Sequence, residues 1–178
     1  MLKTIFLRDN CNTQGCVLVL GGFDGVHIGH RRLIAHAKEQ GVSVGVMTIV
    51  GGKGAALFML EERLHIFKNC GVDFVIPFEF SEIRDKSAEE FLGELEKEFS
   101  PTLYVCGCDF RFGKDAKGDA DTIKEVSKVP VVKEELVVSD GEKVATRHLK
   151  SLLEEGELST MRNLMGDPYF IIGTVVRG

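Results

Sequence analysis

Two histidines, His27 and His30, stand three residues apart at the end of the stretch Gly21-Gly22-Phe23-Asp24-Gly25-Val26-His27-Ile28-Gly29-His30. An imidazole can donate a hydrogen bond, ligate a metal or carry a proton, and its neighbours decide which. Glycine fills four of the nine positions from Gly21 to Gly29. Without a Cβ, Gly21, Gly22 and Gly25 let the backbone approach a ligand closely or adopt a positive φ. The carboxylate of Asp24 can hold such a turn through backbone N–H groups. The apolar run Val17-Leu18-Val19-Leu20 precedes the turn and Leu33-Ile34-Ala35-His36-Ala37 follows it, so the turn joins a buried strand to a helix. Backbone N–H groups and the positive end of the helix dipole then converge on one pocket, which suits phosphate. His27 and His30 add imidazole donors to it. The plainer reading of a histidine near a helix start is a cap or a surface residue, and a metal site needs a third ligand that this spacing does not supply. The fingerprint Gly-x-Gly-x-x-Gly is absent from the turn, which argues against a nicotinamide enzyme.

A second cluster, Asp109-Phe110-Arg111-Phe112-Gly113, follows the apolar run from Leu103 to Cys106. Arg111 can pair with a phosphate or with a carboxylate. Phe110 and Phe112 either offer a stacking surface to a flat ring or belong to the core. Lys53, set among Gly51, Gly52 and Gly54, has the reach for a phosphate, while its plainer reading is a solvated surface lysine. The five cysteines, Cys11, Cys16, Cys70, Cys106 and Cys108, are odd in number and contain no Cys-x-x-Cys pair. They read as free thiols in a reducing cytoplasm.

The elements that must carry these residues follow from periodicity. A strand over Val17 to Leu20, a helix from about His30 to Gln40 ended by Gly41, and a β-rich segment from Val42 to Thr48 form a βαβ unit. A helix from Leu60 to Cys70, a strand Phe74-Val75-Ile76 ending at Pro77, and a helix capped by Ser87 with Glu90 and running to Phe99 continue the alternation. Strands over Leu103 to Cys106 and Val129 to Val132, helices over Leu149 to Glu155 and Leu158 to Met165, and a β-like tail from Tyr169 to Val176 complete it. The expected architecture is α/β: a Rossmann-like, doubly wound parallel sheet, whose ligands sit at the carboxyl ends of the strands where strand order reverses.

The bulk properties agree with one soluble domain. The chain has 178 residues, 44% of them hydrophobic and 28% charged, the balance of an ordinary globular protein. A net charge of −5 gives no reason to expect nucleic acid or an anionic membrane as a bulk partner. No signal-peptide core and no uninterrupted apolar stretch of membrane-spanning length is present, so a cytoplasmic protein is expected.

With these residues in view, Gly21 to His30 resembles the signature of the nucleotidylyltransferase superfamily, whose members carry a His-x-Gly-His turn after the first strand. The fuller string Gly-x-Phe-Asp-Gly-Val-His-x-Gly-His is similar to the narrower pattern of bacterial FAD synthetases, the FMN adenylyltransferase domain of bifunctional riboflavin kinase/FAD synthetases. Gly107 to Gly113, with Gly118-Asp119 after it, resembles the Gly-x-Asp-Phe-Arg-Phe-Gly stretch of the same family. Phe78 to Phe91 matches in character, so the resemblance spans about Val17 to Gly166. It implies the nucleotidylyltransferase fold of the His-x-Gly-His type and transfer of AMP from ATP to FMN, giving FAD and pyrophosphate with Mg²⁺ as cofactor. It implies His27 and His30 as catalytic residues, and Gly21, Gly22, Phe23, Asp24, Gly25, Gly29, Arg147 and Lys150 at the nucleotide. Thr48, Asp109, Phe110, Arg111, Phe112 and Gly113 would form the flavin and nucleotide pocket. Metal ligands are not identified.

Two segments depart from the family. Where it reads Thr-Phe-x-Pro-His-Pro, this chain has Thr48-Ile49-Val50-Gly51-Gly52-Lys53-Gly54, and the family's Ser-Ser-Thr-x-Ile-Arg falls on Ala145-Thr146-Arg147-His148-Leu149-Lys150. Lys150 can neutralise a phosphate but cannot grip it with the two prongs of arginine. A different phosphorylated acceptor, such as phosphopantetheine or nicotinamide mononucleotide, and a nucleotide- or flavin-binding module without turnover therefore stand as alternatives. A transfer-RNA synthetase fragment shares the short histidine string, but the acidic charge and short chain argue against it. Residues 1–166 are expected to form the adenylyltransferase domain. Residues 167–178 resemble the linker and first strand of a riboflavin kinase barrel, and no riboflavin kinase activity is expected from this polypeptide.

Overall fold

A two-residue strand β1 (Ile5–Phe6) leads to β2 (Val17–Leu20), whose four side chains are all buried. A strand with no polar face must lie inside a sheet covered on both sides, and β2 does. The glycine turn comes next, then α1 (Ile28–Lys38), β3 (Val44–Val50), α2 (Leu60–Asn69) and β4 (Phe74–Glu79). After the single-turn helix α3 (Phe80–Ile83) come α4 (Ala88–Phe99), β5 (Leu103–Gly107), α5 (Ala120–Val126) and β6 (Val131–Glu134). A small hairpin, β7 (Val138–Ser139) with β8 (Glu142–Lys143), runs into α6 (Thr146–Glu155) and α7 (Leu158–Met165). The computed structural model describes residues 3–9, 11–52, 54–135, 137–139 and 141–177; Lys53 lies outside them.

The main sheet has six strands in the order β1-β4-β3-β2-β5-β6. Every pairing is parallel except β1 with β4. Alternation along β2 divides the core. Val17 and Val19 face the side covered by α1, α2, α6 and α7, and Leu18 and Leu20 face the side covered by α4 and α5. This is the doubly wound, Rossmann-like arrangement expected from the alternating pattern.

Several boundaries differ from expectation, each for a local reason. Helix α1 starts at Ile28 rather than His30, because His27 acts as its N-cap. Strand β4 does not stop before Pro77 but runs through it to Glu79. β1 pairs with β4 only at Phe74 and Val75, so Pro77 sits where that edge of β4 has no strand partner among the described residues and needs no N–H for one. The tail expected as a strand from Tyr169 to Val176 has no helix or strand over its described residues. A strand requires a ladder partner. Instead Tyr169 and Phe170 pack their rings on Phe58, at 5.2 and 5.5 Å, while Val175 and Val176 stay exposed. Helix α5 and the strands of the β7–β8 hairpin are only seven, two and two residues long, too short for apolar periodicity to mark them in the sequence.

Candidate functional site

Strands β2 and β5 lie side by side, with β3 beyond one and β6 beyond the other. The chain leaving β2 and the chain leaving β5 diverge there, and a crevice opens between them. It has a volume of about 330 Å³ and is lined by Leu20, Gly21 and Gly22 from the end of β2 and by Gly107 and Asp109 from the end of β5.

The glycine turn forms the floor. Phe23 and Val26 both have positive φ, 53° and 36°, a conformation that costs a non-glycine residue about 1–3 kcal/mol. Burial holds it, since each side chain is only 1% exposed. The Phe23 ring lies 5.7 Å from Phe67 and 4.5 Å from His30. A Cβ on Gly21 would come within 2.6 Å of that ring, and one on Gly29 within 3.1 Å of His27 Nδ1. Glycine at these positions is therefore a packing requirement. It lets the His27 ring lie over the first turn of α1, where Nδ1 accepts the His30 N–H at 3.4 Å. That bond leaves Nε2 of His27 to carry the proton.

The two imidazoles stack at 3.8 Å. Burial pulls His27 down to about 4, opposed by Asp109 and reinforced by Lys143. Burial, together with the neighbouring His27, holds His30 well below the ordinary histidine value. Both rings are neutral at pH 7 and act as hydrogen-bonding groups without charge. The Nδ1 of His30 is buried with no hydrogen-bond partner among the described residues, a polar atom left over at the cleft. No acidic residue occupies the first turn of α1, so the positive end of its dipole is uncompensated there.

Asp24 sits at the edge of the cleft and ties the turn to its surroundings. Oδ1 accepts the N–H of Leu57 at 2.8 Å and lies 3.5 Å from the Arg63 guanidinium, while Oδ2 is 2.8 Å from Lys150 Nζ. Asp24 thus clamps the segment before α2 rather than the backbone of its own turn.

The cleft brings together Gly21, Gly22, Phe23, Asp24, His27, Gly29, His30, Asp109, Phe110 and Arg111. The remaining expected residues lie outside its lining. Thr48 is fully buried below the floor, with its hydroxyl on the carbonyl of Gly22 at 2.8 Å. Gly25 packs behind the turn, where a Cβ would meet Leu149 at 2.9 Å. Phe112 is 7% exposed and lies on Phe91 at 5.5 Å, the core alternative of its two readings. Gly113 packs against the backbone at Ala88. Arg147 is exposed, and Lys150 is taken up by Asp24 and the carbonyl of Ala55.

Sequence reasoning missed Glu135, Lys143 and Thr146, which also line the cleft, and the buried Arg63 behind it. Lys143 reaches the site on β8 and pairs with Asp109. Thr146 could have been found, since it falls inside the segment aligned with Ser-Ser-Thr. Nothing local marks Arg63, which reads as one more charge beside Glu61 and Glu62.

A protein-family model described as FAD synthetase matches residues 9–148. The chain is 28% identical to the bifunctional riboflavin kinase/FMN adenylyltransferase of Escherichia coli (strain K12), covering 100% of this chain and 63% of that protein. An FAD synthetase of Listeria monocytogenes is 24% identical, over 98% of this chain and 78% of its own length. The chain thus spans less than two thirds of the bifunctional relative. A crystal structure named as a macrolide-efflux protein from Streptococcus pneumoniae superposes with a TM-score of 0.80 at 24% identity, over 92% of this chain and 59% of that one. At that identity the likeness is one of fold.

Proposed function

This chain belongs to the FAD synthetase family, and from that premise we propose that it acts as an FMN adenylyltransferase. A phosphate oxygen of FMN attacks the α-phosphorus of ATP, the bond to the β,γ-diphosphate breaks, and FAD and pyrophosphate are released. No covalent protein intermediate is needed, so the protein's part is positioning and the stabilisation of developing charge. On this reading the triphosphate lies over the glycine turn, and His27 donates from Nε2 while His30, stacked on it and lining the cleft, supplies the second imidazole. These contacts strengthen as negative charge gathers on the leaving pyrophosphate. Phe110 and Arg111 form the wall facing the acceptor. Lys150, held by Asp24, acts on the phosphates only if that pair opens.

Magnesium would supply further neutralisation of the phosphates, although Asp109, the carboxylate on the cleft wall nearest the histidines, is already paired with Lys143. No cluster of three or more His, Cys, Asp or Glu side chains able to hold a metal stands among the described residues. That donor set suits an ion that takes most of its ligands from phosphate and water. Residues 1–166 are read as the adenylyltransferase unit and 167–178 as a linker. None of the helices among the described residues is long and apolar enough to cross a membrane, and the five cysteines are free, which supports a reducing, cytoplasmic setting.

The observation that carries this reading is the pair of neutral, stacked histidines on a glycine turn at the point where strand order reverses. The test is incubation with ATP, Mg²⁺ and FMN, reading FAD by chromatography and pyrophosphate by a coupled assay. Equimolar appearance of both is expected. Binding of ATP and FMN with neither product would replace the enzyme by a binding module.

A further inference from the structure

Arg63 has a role that the cleft alone does not explain. Its residue is 3% exposed, and a guanidinium is taken out of water only where several acceptors meet it. Nε donates to the carbonyl of Phe58 at 2.9 Å, and one terminal nitrogen donates to Ile49 O at 2.7 Å and Thr48 Oγ1 at 3.2 Å. The other lies 3.5 Å from Asp24 Oδ1. These partners belong to the end of β3, the entry to α2 and the glycine turn. Thr48 Oγ1 and the Ile49 N–H both reach on to the carbonyl of Gly22, at 2.8 and 3.3 Å.

Arg63 therefore grips the turn on both sides of Phe23, at Gly22 through Thr48 and Ile49 and at Asp24 directly. Phe23 is one of the two turn residues held at positive φ. Its ring supports His30, and His30 stacks on His27. We propose that Arg63 is a positioning residue for the His27–His30 pair, fixing the strained turn so that both rings stay shielded and face the cleft. A lysine cannot replace it, because one ammonium cannot span acceptors on three separate segments. Charge on Asp24 is not the deciding factor, since Lys150 supplies a second cation to it. Only the catalytic consequence rests on the adenylyltransferase reading; the geometry does not.

The test compares Arg63→Met, Arg63→Lys and Thr48→Val with Leu92→Ala, a core change on the far side of the sheet. The first readout is an NMR titration of the histidine side chains in the ligand-free protein. The groups facing His27, namely Asp109, Lys143 and His30, are left intact in all variants. Wild-type His27 is expected to stay neutral down to about pH 4. In both Arg63 variants its midpoint should rise toward the ordinary value of about 6.5 as water reaches the ring, and Thr48→Val should give a smaller rise. Leu92→Ala should lose stability with its histidine midpoints unchanged. The second readout is turnover, where kcat should fall roughly 10²-fold in the Arg63 variants while KM moves less. A folded Arg63→Lys or Thr48→Val with wild-type titration and wild-type kcat overturns the proposal. Should the wild type itself make no FAD, the titration still decides on Arg63, while the enzymatic reading alone fails.

Discussion

His27 stays neutral only while the turn keeps water from it, and this makes stability depend on pH. Its folded value is about 4 against about 6.5 in an unfolded chain. Between these values the unfolded state binds more protons, so the contribution is complete above pH 6.5 and is lost as pH falls toward 4, reaching about 3 kcal/mol in all. His30 acts in the same direction. Urea unfolding at pH 7 and pH 5 should therefore show an acid loss on the order of 2 kcal/mol in the wild type and a smaller one in His27→Gln; equal losses would contradict it. In the enzyme reading, His27→Ala and His30→Ala should each lower kcat by roughly 10²–10³-fold with much less effect on FMN binding. Wild-type kcat in both variants would remove the histidines from the mechanism.

At the scale of elements, two substitutions with similar costs in stability should separate in function. Helix α4 opens with a complete capping box, Ser87 N–H to Glu90 at 2.8 Å and Glu90 N–H to Ser87 at 3.2 Å. Ser87→Ala should cost about 1 kcal/mol and lower Tm by roughly 2–4 °C, with kcat and KM unchanged. Gly25 is where the glycine turn meets α6, and a Cβ there would stand 2.9 Å from Leu149 and 3.3 Å from Thr146 Oγ1. Gly25→Ala should cost about 1–3 kcal/mol by overpacking. It should also raise the ATP concentration required, because turn and helix cannot both keep their places. If calorimetry and kinetics ranked the two variants alike, α6 would have no part in shaping the cleft.

For the whole molecule, the end of the chain bears on the site. The segment after α7 returns over α2, where Tyr169 and Phe170 lie on Phe58 and the Ile172 N–H donates to Glu62 at 2.9 Å. Phe58 is the residue whose carbonyl Arg63 holds. Replacing Tyr169 and Phe170 together by alanine should lower stability by about 1–3 kcal/mol from the lost aromatic contacts and loosen residues 55–58 in hydrogen exchange. Unchanged exchange there would make the tail a passenger.

The sequence by itself determined the alternation of strands and helices, the parallel sheet, the Ser87 cap and the turn at the end of β2, because each is a local pattern of apolar spacing or of glycine and capping residues. It also marked His27, His30, Asp24 and Phe110, which stand in one recognisable string or another. Only the tertiary structure decided that Thr48 and Phe112 lie in the interior, that Lys150 serves Asp24, and that Arg63 and Lys143 belong to the site. It also decided that the apolar tail makes no strand. The reason is physical: a side chain's partners across 14 or 34 residues of sequence, as for Arg63 with Ile49 or Lys143 with Asp109, depend on how helices seat on the sheet, and burial of a charge is set by those contacts rather than by its neighbours in the chain.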